Sequence, residues 1–487
     1  MIKYKLKKNY ISKVIILLLI QIVVLQTTKA EIKLPAIVSS NMVLQRNTTI
    51  ELWGWAKAKE KIKIKTSWLE KPKIIETDSN GNWSVEIKTT NSKEIQEIYL
   101  KSKESNIILK NILFGEVWLC SGQSNMQQPL KGFYGQPTFG SLQTIINSNN
   151  PKLRLFTVNI KGSKFPLKDL DKYNSWQEAT PNSVPNFSAV AYFFGLQLQK
   201  ILDVPVGLIH SSWGGSKIEA WMSKEVLSNY QKIDLDKINA SKNANIKPNL
   251  LYNAMIHPII RYKIKGALWY QGESNRSEPN KYEKLFPAMV KDWRARFNLG
   301  DFPFYYTQIA PFSYDRNKPI EKRINSAFIR EAQLKCLDLI PNSGIAITLD
   351  IGDKFSIHPP KKKQVANRLL YNALSKTYGF KNIEYVSPIY KALKIENKAI
   401  KLFFKNIKTG LYTYNNLKGF EISGVDKIFH PATAKIVNRN QVLVKSDKVK
   451  KPIAVRYAWK NWVQASLFGA NLLPVSSFRT DNWDSID

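Results

Sequence analysis

The stretch GEVWLCSGQSNM, residues 115–126, decides the fold. Its first half has the apolar composition of a buried strand, and its second half is a tight turn that begins at Gly122. A strand that passes through such a turn into a helix aims one side chain out over the edge of the sheet, as in a nucleophile elbow. The pattern is Gly-x-Ser-Asn-Met, which differs from Gly-x-Ser-x-Gly because Met126 stands at the position of the second glycine. Ser124 is therefore a candidate nucleophile that needs a base as independent support.

Short apolar runs and helical patterns alternate on the carboxyl side of this stretch. The runs that read as further buried strands are PVGLIHSSWGG (205–215), IKGALWYQG (264–272), FPFYYTQIA (302–310) and GIAITLDIG (344–352). The amphipathic helical patterns are AYFFGLQLQKIL (191–202), KLFPAMVKDWRARF (284–297), INSAFIREAQLKCLD (324–338) and KQVANRLLYNALSKTYG (363–379). This alternation predicts an α/β domain with a parallel sheet over residues 113–383, with its chemistry at the carboxyl ends of the strands.

The flanking regions have a different pattern. Residues 31–112 alternate apolar and polar side chains, and a strong turn signal, DSNGN, lies at residues 78–82. We interpret this region as an N-terminal β-sandwich domain. From residue 384 to residue 487 the alternation of strands returns, which predicts a β-rich C-terminal domain.

Residues 1–30 have the organisation of a secretory signal peptide. Residues 1–13 contain five lysines and no acid, and the mostly apolar run VIILLLIQIVVL follows over residues 14–25. Small-x-small residues, Thr28 and Ala30, end the segment. The apolar run is shorter than the ~20 residues that a spanning helix needs. We expect cleavage after Ala30 and an exported protein, periplasmic or extracellular, without a membrane anchor.

The charge and the cysteines exclude several function classes. The net charge is +35, but the lysines are scattered and no basic-aromatic motif accompanies them, so we do not expect a nucleic-acid partner. An acidic sugar as substrate would fit this charge. No Cys or His spacing indicates a metal site, and no cofactor is expected. Cys120 and Cys336 could pair in an exported protein, and the sequence leaves this open.

The base is expected among only four histidines. His358 lies on a loop between a buried strand and an amphipathic helix, so it can face the carboxyl edge of the sheet and act on Ser124 as general base. The alternative is a surface-loop histidine without a role. His257 lies in an apolar context that favours packing, and His210 ends a strand and could line the pocket.

Donors for an oxyanion follow two of the other strands. Gly214 and Gly215 come directly after a strand, where a glycine N–H can approach a substrate oxygen closely. After another strand, a side-chain amide of Gln271 or Asn275 could add a donor. Glu273 has no second carboxylate at a helpful spacing, which favours a structural hydrogen-bonding role over a metal or general-acid role.

Several blocks of the chain, in order, resemble the sialate O-acetylesterase family, a branch of the SGNH (GDSL-like) hydrolases. The blocks are GEVWLCSGQSNM, VGLIHSSWGGSKIEAWMS, LYNAMIHPIIRYKIKGALWYQGESN, WRARF with FPFYYTQIAPF, IREAQ and DIGDKFSIHPPKK. The two ends, VSSNMVLQRNTTIELWGWA and RYAWKNWVQASLFGANLLPVSSFRTDNW, also resemble that family, so the resemblance covers nearly the whole mature chain. It implies an SGNH-type three-layer α/β/α domain between the two β regions.

The resemblance also implies a role for each matching residue. Ser124 would be the nucleophile and His358 the base. The oxyanion hole would comprise the Ser124 N–H, the Gly215 N–H and the amide of Gln271 or Asn275.

The third member of the triad is the point at which this chain departs from the family. Many SGNH enzymes have an Asp three residues before the histidine, whereas this chain has Phe355 there. Asp353 and Asp350 are the nearest candidates, and a Ser-His dyad whose ring is oriented by a backbone carbonyl is the alternative.

The expected activity is therefore serine-dependent removal of O-acetyl groups from carbohydrates, sialic acids first. Acetylxylan or another acetylated polysaccharide is the near alternative, and a non-catalytic carbohydrate-binding protein is the distant one. Arg330, in the IREAQ helix, is a candidate for binding the substrate carboxylate, although a helix-surface position or a buried ion pair competes with that role.

Overall fold

The computed structural model describes residues 31–171, 174–234, 237–319 and 322–484, so the expected signal peptide and its cleavage site lie outside the described residues. The described chain divides into two compact units. One contains residues 31–34, 53–85 and 97–108, and the other contains residues 35–52, 86–96 and 109–484. The domain boundaries expected after residues 112 and 383 stay a prediction.

Six short strands lie within residues 43–101. They are β1 (Val43–Gln45), β2 (Thr49–Trp55), β3 (Lys61–Thr66), β4 (Lys73–Glu76), β5 (Asn82–Lys88) and β6 (Gln96–Lys101). In β3 each second residue is buried and the lysines between them are exposed, which is the period of a half-buried strand. β3 pairs antiparallel with β4 and β6. The prediction of strands in this region is confirmed, and their packing as a sandwich stays a prediction.

Seven of the eleven described strands of the central sheet form its continuous hydrogen-bonded path. They are β7 (Asn106–Gly122), β8 (Asn150–Thr157), β9 (Gln177–Ala179), β10 (Val206–Ser212), β11 (Gly266–Tyr270), β12 (Phe304–Thr307) and β13 (Ser343–Ala346). Their order is β13-β12-β11-β7-β10-β8-β9, and every neighbouring pair is parallel except the antiparallel edge pair β8–β9. The α/β prediction for this part of the chain is confirmed, within a large mixed sheet.

The register of the central strands places their carboxyl ends at one edge. Gly122 of β7 lies opposite Ser212 of β10 and Tyr270 of β11. The backbone at Gly122 has φ +135, and a Cβ there would lie 2.2 Å from the Tyr270 carbonyl oxygen. Only glycine fits this position, which lets β7 turn sharply in front of Ser124.

Seven helices of the described ranges accompany the sheet. They are α1 (Ser124–Gln127), α2 (Ser141–Ile146), α3 (Ala189–Leu202), α4 (Lys224–Leu227), α5 (Pro279–Phe297), α6 (Ala327–Leu339) and α7 (Lys362–Lys376). Shorter helical turns lie at Val184–Asn186, Ile218–Trp221, Ala244–Ile246, Tyr252–Ile256, His257–Ile259 and Glu273–Asn275. α3 packs against α7 and α5 against α6. Buried side chains of β7, β10, β11, α3 and α7 form the main hydrophobic core, as expected for parallel strands, which are buried on both faces.

The C-terminal part of the chain is β-rich, as predicted. Its strands are β14 (Ile389–Glu396), β15 (Ala399–Lys405), β16 (Leu411–Tyr412), β17 (Phe420–Ser423), β18 (His430–Pro431), β19 (Thr433–Asn438), β20 (Gln441–Lys445), β21 (Ala454–Tyr457), β22 (Phe468–Gly469) and β23 (Phe478–Arg479). They form two four-stranded sheets, β14-β15-β20-β19 and β18-β17-β21-β23, and the pair β16-β22.

Candidate active site

Ser124 is the first residue of α1 and follows directly on the carboxyl end of β7. The Gln123 N–H extends the sheet by donating to the Tyr270 carbonyl oxygen at 2.9 Å, which fixes the turn. The turn that follows β10 lies against the serine, because a Cβ added to Gly214 would be 3.3 Å from Ser124 Cβ. The structure therefore brings the predicted nucleophile and the predicted glycine turn together, with Ser124 partly exposed.

The glycine turn is held by two side chains. The Gly214 N–H donates to Gln127 Oε1 at 2.7 Å, and Asn245 Nδ2 donates to the Gly214 carbonyl oxygen at 2.9 Å. Gly215 is exposed with φ +69. Within the described part of the chain, neither the Ser124 N–H nor the Gly215 N–H has an acceptor. Two backbone donors next to the serine thus remain for a ligand oxygen.

The two candidate amide donors differ in what they already bind. Gln271 Nε2 donates to the Ser216 carbonyl oxygen at 3.0 Å and to Asn275 Oδ1 at 2.7 Å, so both of its hydrogens are used. Asn275 Nδ2 donates to Glu219 Oε2 at 2.9 Å and keeps a second hydrogen. Of the two alternatives, this arrangement leaves only Asn275 with a hydrogen for a substrate oxygen.

His358 lies on a loop that Asp353 organises. Asp353 Oδ1 accepts the N–H groups of Phe355 at 2.7 Å and Ser356 at 2.9 Å, as in a side-chain-capped turn. The ring itself contacts a different segment: His358 Nδ1 is hydrogen-bonded to Gln136 Oε1. The other ring nitrogen, Nε2, is buried and has no partner among the described residues.

The expectation that Asp353 or Asp350 orients the ring does not fit these contacts. Asp350 binds the Arg368 guanidinium through both carboxylate oxygens, at 2.7 and 2.6 Å. Asp353 binds only backbone N–H groups. The dyad alternative, with a backbone carbonyl as the orienting group, does not fit either, because the acceptor is a side-chain amide.

Electrostatics keep the His358 imidazole neutral. Burial lowers its pKa to about 4, and the positive charge of Lys362 acts in the same direction. A neutral ring with its proton on Nδ1 carries a lone pair on Nε2, which is the form that a general base needs.

Asn125 links the serine turn to the histidine loop. Its Nδ2 donates to the carbonyl oxygen of Ile357 at 3.1 Å and to Glu273 Oε1 at 2.6 Å. Its Oδ1 accepts a hydrogen bond of 2.5 Å from Lys362 Nζ. The predicted structural hydrogen-bonding role of Glu273 is confirmed.

Asn125, Glu273 and Lys362 are here called the buried triad, and two of them, Glu273 and Lys362, are ionisable. Burial raises the pKa of Glu273 and lowers that of Lys362 to about 7, while each charge partly offsets the shift of the other. Both ends of the cluster lie next to reacting groups, because Asn125 follows Ser124 and the Lys362 charge acts on His358.

A family model described as carbohydrate esterase, sialic acid-specific acetylesterase, matches residues 114–370. The chain belongs to this family. The human sialate O-acetylesterase is 31% identical over 396 residues, covering 72% of this chain and 71% of the human protein. The mouse sialate O-acetylesterase is 30% identical over 408 residues, covering 72% and 74%.

A solved structure extends the likeness to the fold of nearly the whole chain. The crystal structure of a carbohydrate acetylesterase from Xanthomonas citri has a TM-score of 0.84 and 34% identity, covering 93% of this chain and all of that one. This member of the acetylesterase family is therefore a carboxylic ester hydrolase that removes O-acetyl groups from sugars.

Arg330, which the sequence suggested as a ligand of the substrate carboxylate, lies in the protein interior of this acetylesterase. It is fully buried, and its guanidinium donates to Ser326 Oγ and Ser477 Oγ, both at 3.0 Å, and to the Lys460 carbonyl oxygen at 2.7 Å. A role in binding a substrate carboxylate does not fit this position, because no face of the side chain reaches solvent.

The remaining sequence expectations concern cysteines, other histidines and metals. Cys120 and Cys336 are both free and buried. His257 Nδ1 binds the carbonyl oxygen of Leu167 at 2.9 Å, and His210 is buried against Ser212. Over the described ranges, no group of three or more His, Cys, Asp or Glu side chains is arranged to hold a metal ion, and no helix is long and apolar enough to cross a membrane.

Proposed function

We propose that the O-acetyl groups removed by this esterase are carried by sialic acids, and that Ser124 is the nucleophile. One observation carries the proposal: Ser124 stands at the carboxyl end of β7, its own N–H and that of Gly215 have no acceptor among the described residues, and Asn125 joins its turn to the loop of His358. The curated relatives are named sialate O-acetylesterases, which supports the substrate.

The reaction proceeds in two steps. The Ser124 hydroxyl gives its proton to His358 Nε2 while its oxygen bonds to the acetyl carbon. The resulting imidazolium gives that proton to the sugar oxygen as the bond between the acetyl carbon and the sugar oxygen breaks, which releases the sugar alcohol and leaves the acetyl-serine. A water molecule then attacks the acetyl-serine, loses its proton to Nε2, and acetate leaves as the serine regains its proton.

The charge that develops on the carbonyl oxygen needs donors that are already in place. The N–H groups of Ser124 and Gly215, with the remaining hydrogen of Asn275, fit this task, because no described residue occupies them. One such donor typically contributes about 3 kcal/mol to the transition state. No step requires a metal or an organic cofactor.

Basic side chains near the histidine loop favour an acidic sugar. Lys354 Nζ lies 5.4 Å from the centre of the exposed Phe355 ring, and the Arg316 guanidinium lies 6.0 Å from it. Phe355 is three residues before His358 on the same loop, and we therefore propose that both cations lie at the rim of the site. They would attract a sialate carboxylate, whereas a neutral polysaccharide gains nothing from them.

Two further proposals accompany this function. The pairings of α3 with α7 and of α5 with α6 support an SGNH-type three-layer arrangement, with helices on both faces of the sheet. The organisation of residues 1–30 supports export and cleavage of a signal peptide.

The deciding experiment compares acetate release from 9-O-acetyl sialic acid and from acetylated xylan, using the same preparation. We expect the sialate to be the better substrate in kcat/KM. Ser124→Ala should lose at least 10³-fold in kcat on both, whereas Ser141→Ala, on α2, should keep full activity. A higher kcat/KM on acetylated xylan would refute the assignment of sialic acids as the substrate. An active Ser124→Ala variant would refute the assignment of Ser124 as the nucleophile.

A further inference from the structure

The acceptor of the His358 Nδ1–H is a residue that no motif indicates. Gln136 lies 222 positions away in the sequence, and its Oε1 contacts the ring nitrogen. Phe133, from the same segment, packs edge-on against the ring with centroids 5.3 Å apart. One loop therefore contacts His358 both at its Nδ1 and at its face.

The Gln136 loop is rigidly attached, which a positioning group requires. The Gln136 N–H and carbonyl oxygen each bind Phe133 at 3.0 Å, and Gln128 Nε2 donates to the same carbonyl at 3.1 Å. The Phe139 N–H donates to the Pro360 carbonyl oxygen at 3.0 Å, which joins this loop to the histidine loop.

We propose that Gln136 is the positioning residue of His358, so that a neutral amide stands where serine hydrolases commonly use a carboxylate. This rests on the proposed function of His358 as the general base. The Oε1 acceptor requires the proton to be on Nδ1, so the lone pair is on Nε2, which is buried and has no partner in the part of the chain that the structure describes.

The neutral partner has a functional consequence. A carboxylate would stabilise the imidazolium, whereas an amide oxygen fixes only the tautomer and the orientation of the ring. The ionisable groups around His358 do not replace it: Lys362 is a cation, Asp353 is engaged with backbone N–H groups, and Glu273 is separated by Asn125. The base therefore stays neutral, and the enzyme active, in acid.

The test uses Gln136→Leu and Gln136→Glu, with Gln143→Leu and Gln143→Glu on the exposed face of α2 as matched controls. Gln136→Leu removes the acceptor without adding charge, and kcat on p-nitrophenyl acetate should fall about 100-fold, at the low end of what a positioned base contributes. Gln136→Glu should restore a triad-like pair and move the acid limb of kcat/KM upward by about 1–3 pH units.

A second readout needs no turnover. Long-range ¹H–¹⁵N spectra of the imidazoles, with the His358 signals assigned by their loss in His358→Gln, should show the Nδ1–H tautomer in the unmodified protein. The Nε2–H tautomer there would overturn the proposal. So would an unchanged pH profile in Gln136→Glu together with full kcat in Gln136→Leu.

The two readouts separate this proposal from the proposed function. If the unmodified protein releases no acetate from any ester while the Nδ1–H tautomer is present and is lost in Gln136→Leu, the function fails and the positioning role stands. Thermal unfolding of each variant identifies loss of fold, and in that case the Gln136→Glu profile decides.

Discussion

Exchanging the amide and the carboxylate between positions 125 and 273 tests the buried triad directly. In Asn125→Asp an oxygen takes the place of the Nδ2 donor. This oxygen faces Glu273 Oε1 and the Ile357 carbonyl oxygen, which are both hydrogen-bond acceptors, so both hydrogen bonds are lost. Glu273→Gln in the same chain supplies an amide donor from the other side. The double variant has the net charge of the unmodified protein and an approximately isosteric pair, so it should regain the hydrogen bond between positions 125 and 273 but not the bond to the Ile357 carbonyl oxygen.

The size of the loss follows from the contacts. The 2.6 Å bond to the Glu273 carboxylate contributes about 1.5–3 kcal/mol and the 3.1 Å bond to the Ile357 carbonyl about 1 kcal/mol. With repulsion between two carboxylates, we expect Asn125→Asp to lower the free energy of unfolding by about 4 kcal/mol, in the range for breaking a buried charged pair.

The pH dependence has a definite sign. Because burial raises the pKa of Glu273, the folded state keeps a proton that the unfolded chain has already released. A protonated Glu273 can donate to the introduced carboxylate, and a deprotonated one cannot. Stability of Asn125→Asp therefore falls as the pH rises above the ordinary glutamate range, so its deficit is larger at pH 8 than at pH 5.

Urea unfolding at both pH values measures these differences. The control is Asn147→Ala at the exposed end of α2, whose free energy of unfolding should lie within about 0.5 kcal/mol of the value for the unmodified protein. The double variant should recover at least half of the deficit. If Asn125→Asp unfolds at the unmodified midpoint, or if the second substitution recovers nothing, the hydrogen bonds of the buried triad do not hold the site together.

Three further outcomes follow from the site. Gly122→Ala should lower the free energy of unfolding by about 3 kcal/mol or more, because φ +135 and a carbonyl oxygen 2.2 Å from the new Cβ both oppose it; a normal urea midpoint would contradict the turn geometry. Asp353→Asn should change kcat less than threefold. Asp350→Asn should lower the free energy of unfolding by about 2 kcal/mol, because its ion pair with Arg368 is lost, and should leave kcat nearly unchanged. A 100-fold fall in kcat for either variant would show that this carboxylate is the third member of the catalytic triad. In the unmodified protein, kcat/KM should fall only as the pH drops through about 4, where His358 becomes protonated, and an acid limb near pH 6.5 would refute this.

Local sequence was sufficient for the elements that carry the site. The strand β7, its glycine turn and Ser124 are contiguous in the sequence. Because the backbone conformation at Gly122 requires glycine, the motif alone predicts a sharp turn at the end of the strand. The same holds for Gly215 after β10 and for His358 before α7. Parallel pairing then brings these turns to one edge of the sheet, which makes their proximity predictable without knowledge of any side-chain contact.

The contacts that tune the site were not predictable in this way. Lys362 lies in a run of three lysines, which predicts a solvated face, yet it is fully buried. Its Nζ donates to Asn125 Oδ1, and the charge of Glu273 stabilises its charged form. Gln136 comes from a loop without periodicity, and its contact with His358 spans 222 positions. Such pairings are selected by tertiary packing, and nothing in the local composition distinguishes them from exposed lysines and glutamines.

Asp353 lies on the predicted loop but does not contact the His358 ring as the sequence suggested. A carboxylate near a histidine predicts a charge that orients the ring, and Asp353 is near in sequence. Its oxygen is nevertheless within reach of two backbone N–H groups in the same turn. Binding those groups shapes the loop that carries His358. The ring of His358 is instead hydrogen-bonded to Gln136, on another loop. Burial lowers the histidine pKa and the Lys362 charge lowers it further, and the neutral amide of Gln136 supplies no negative charge that would raise it.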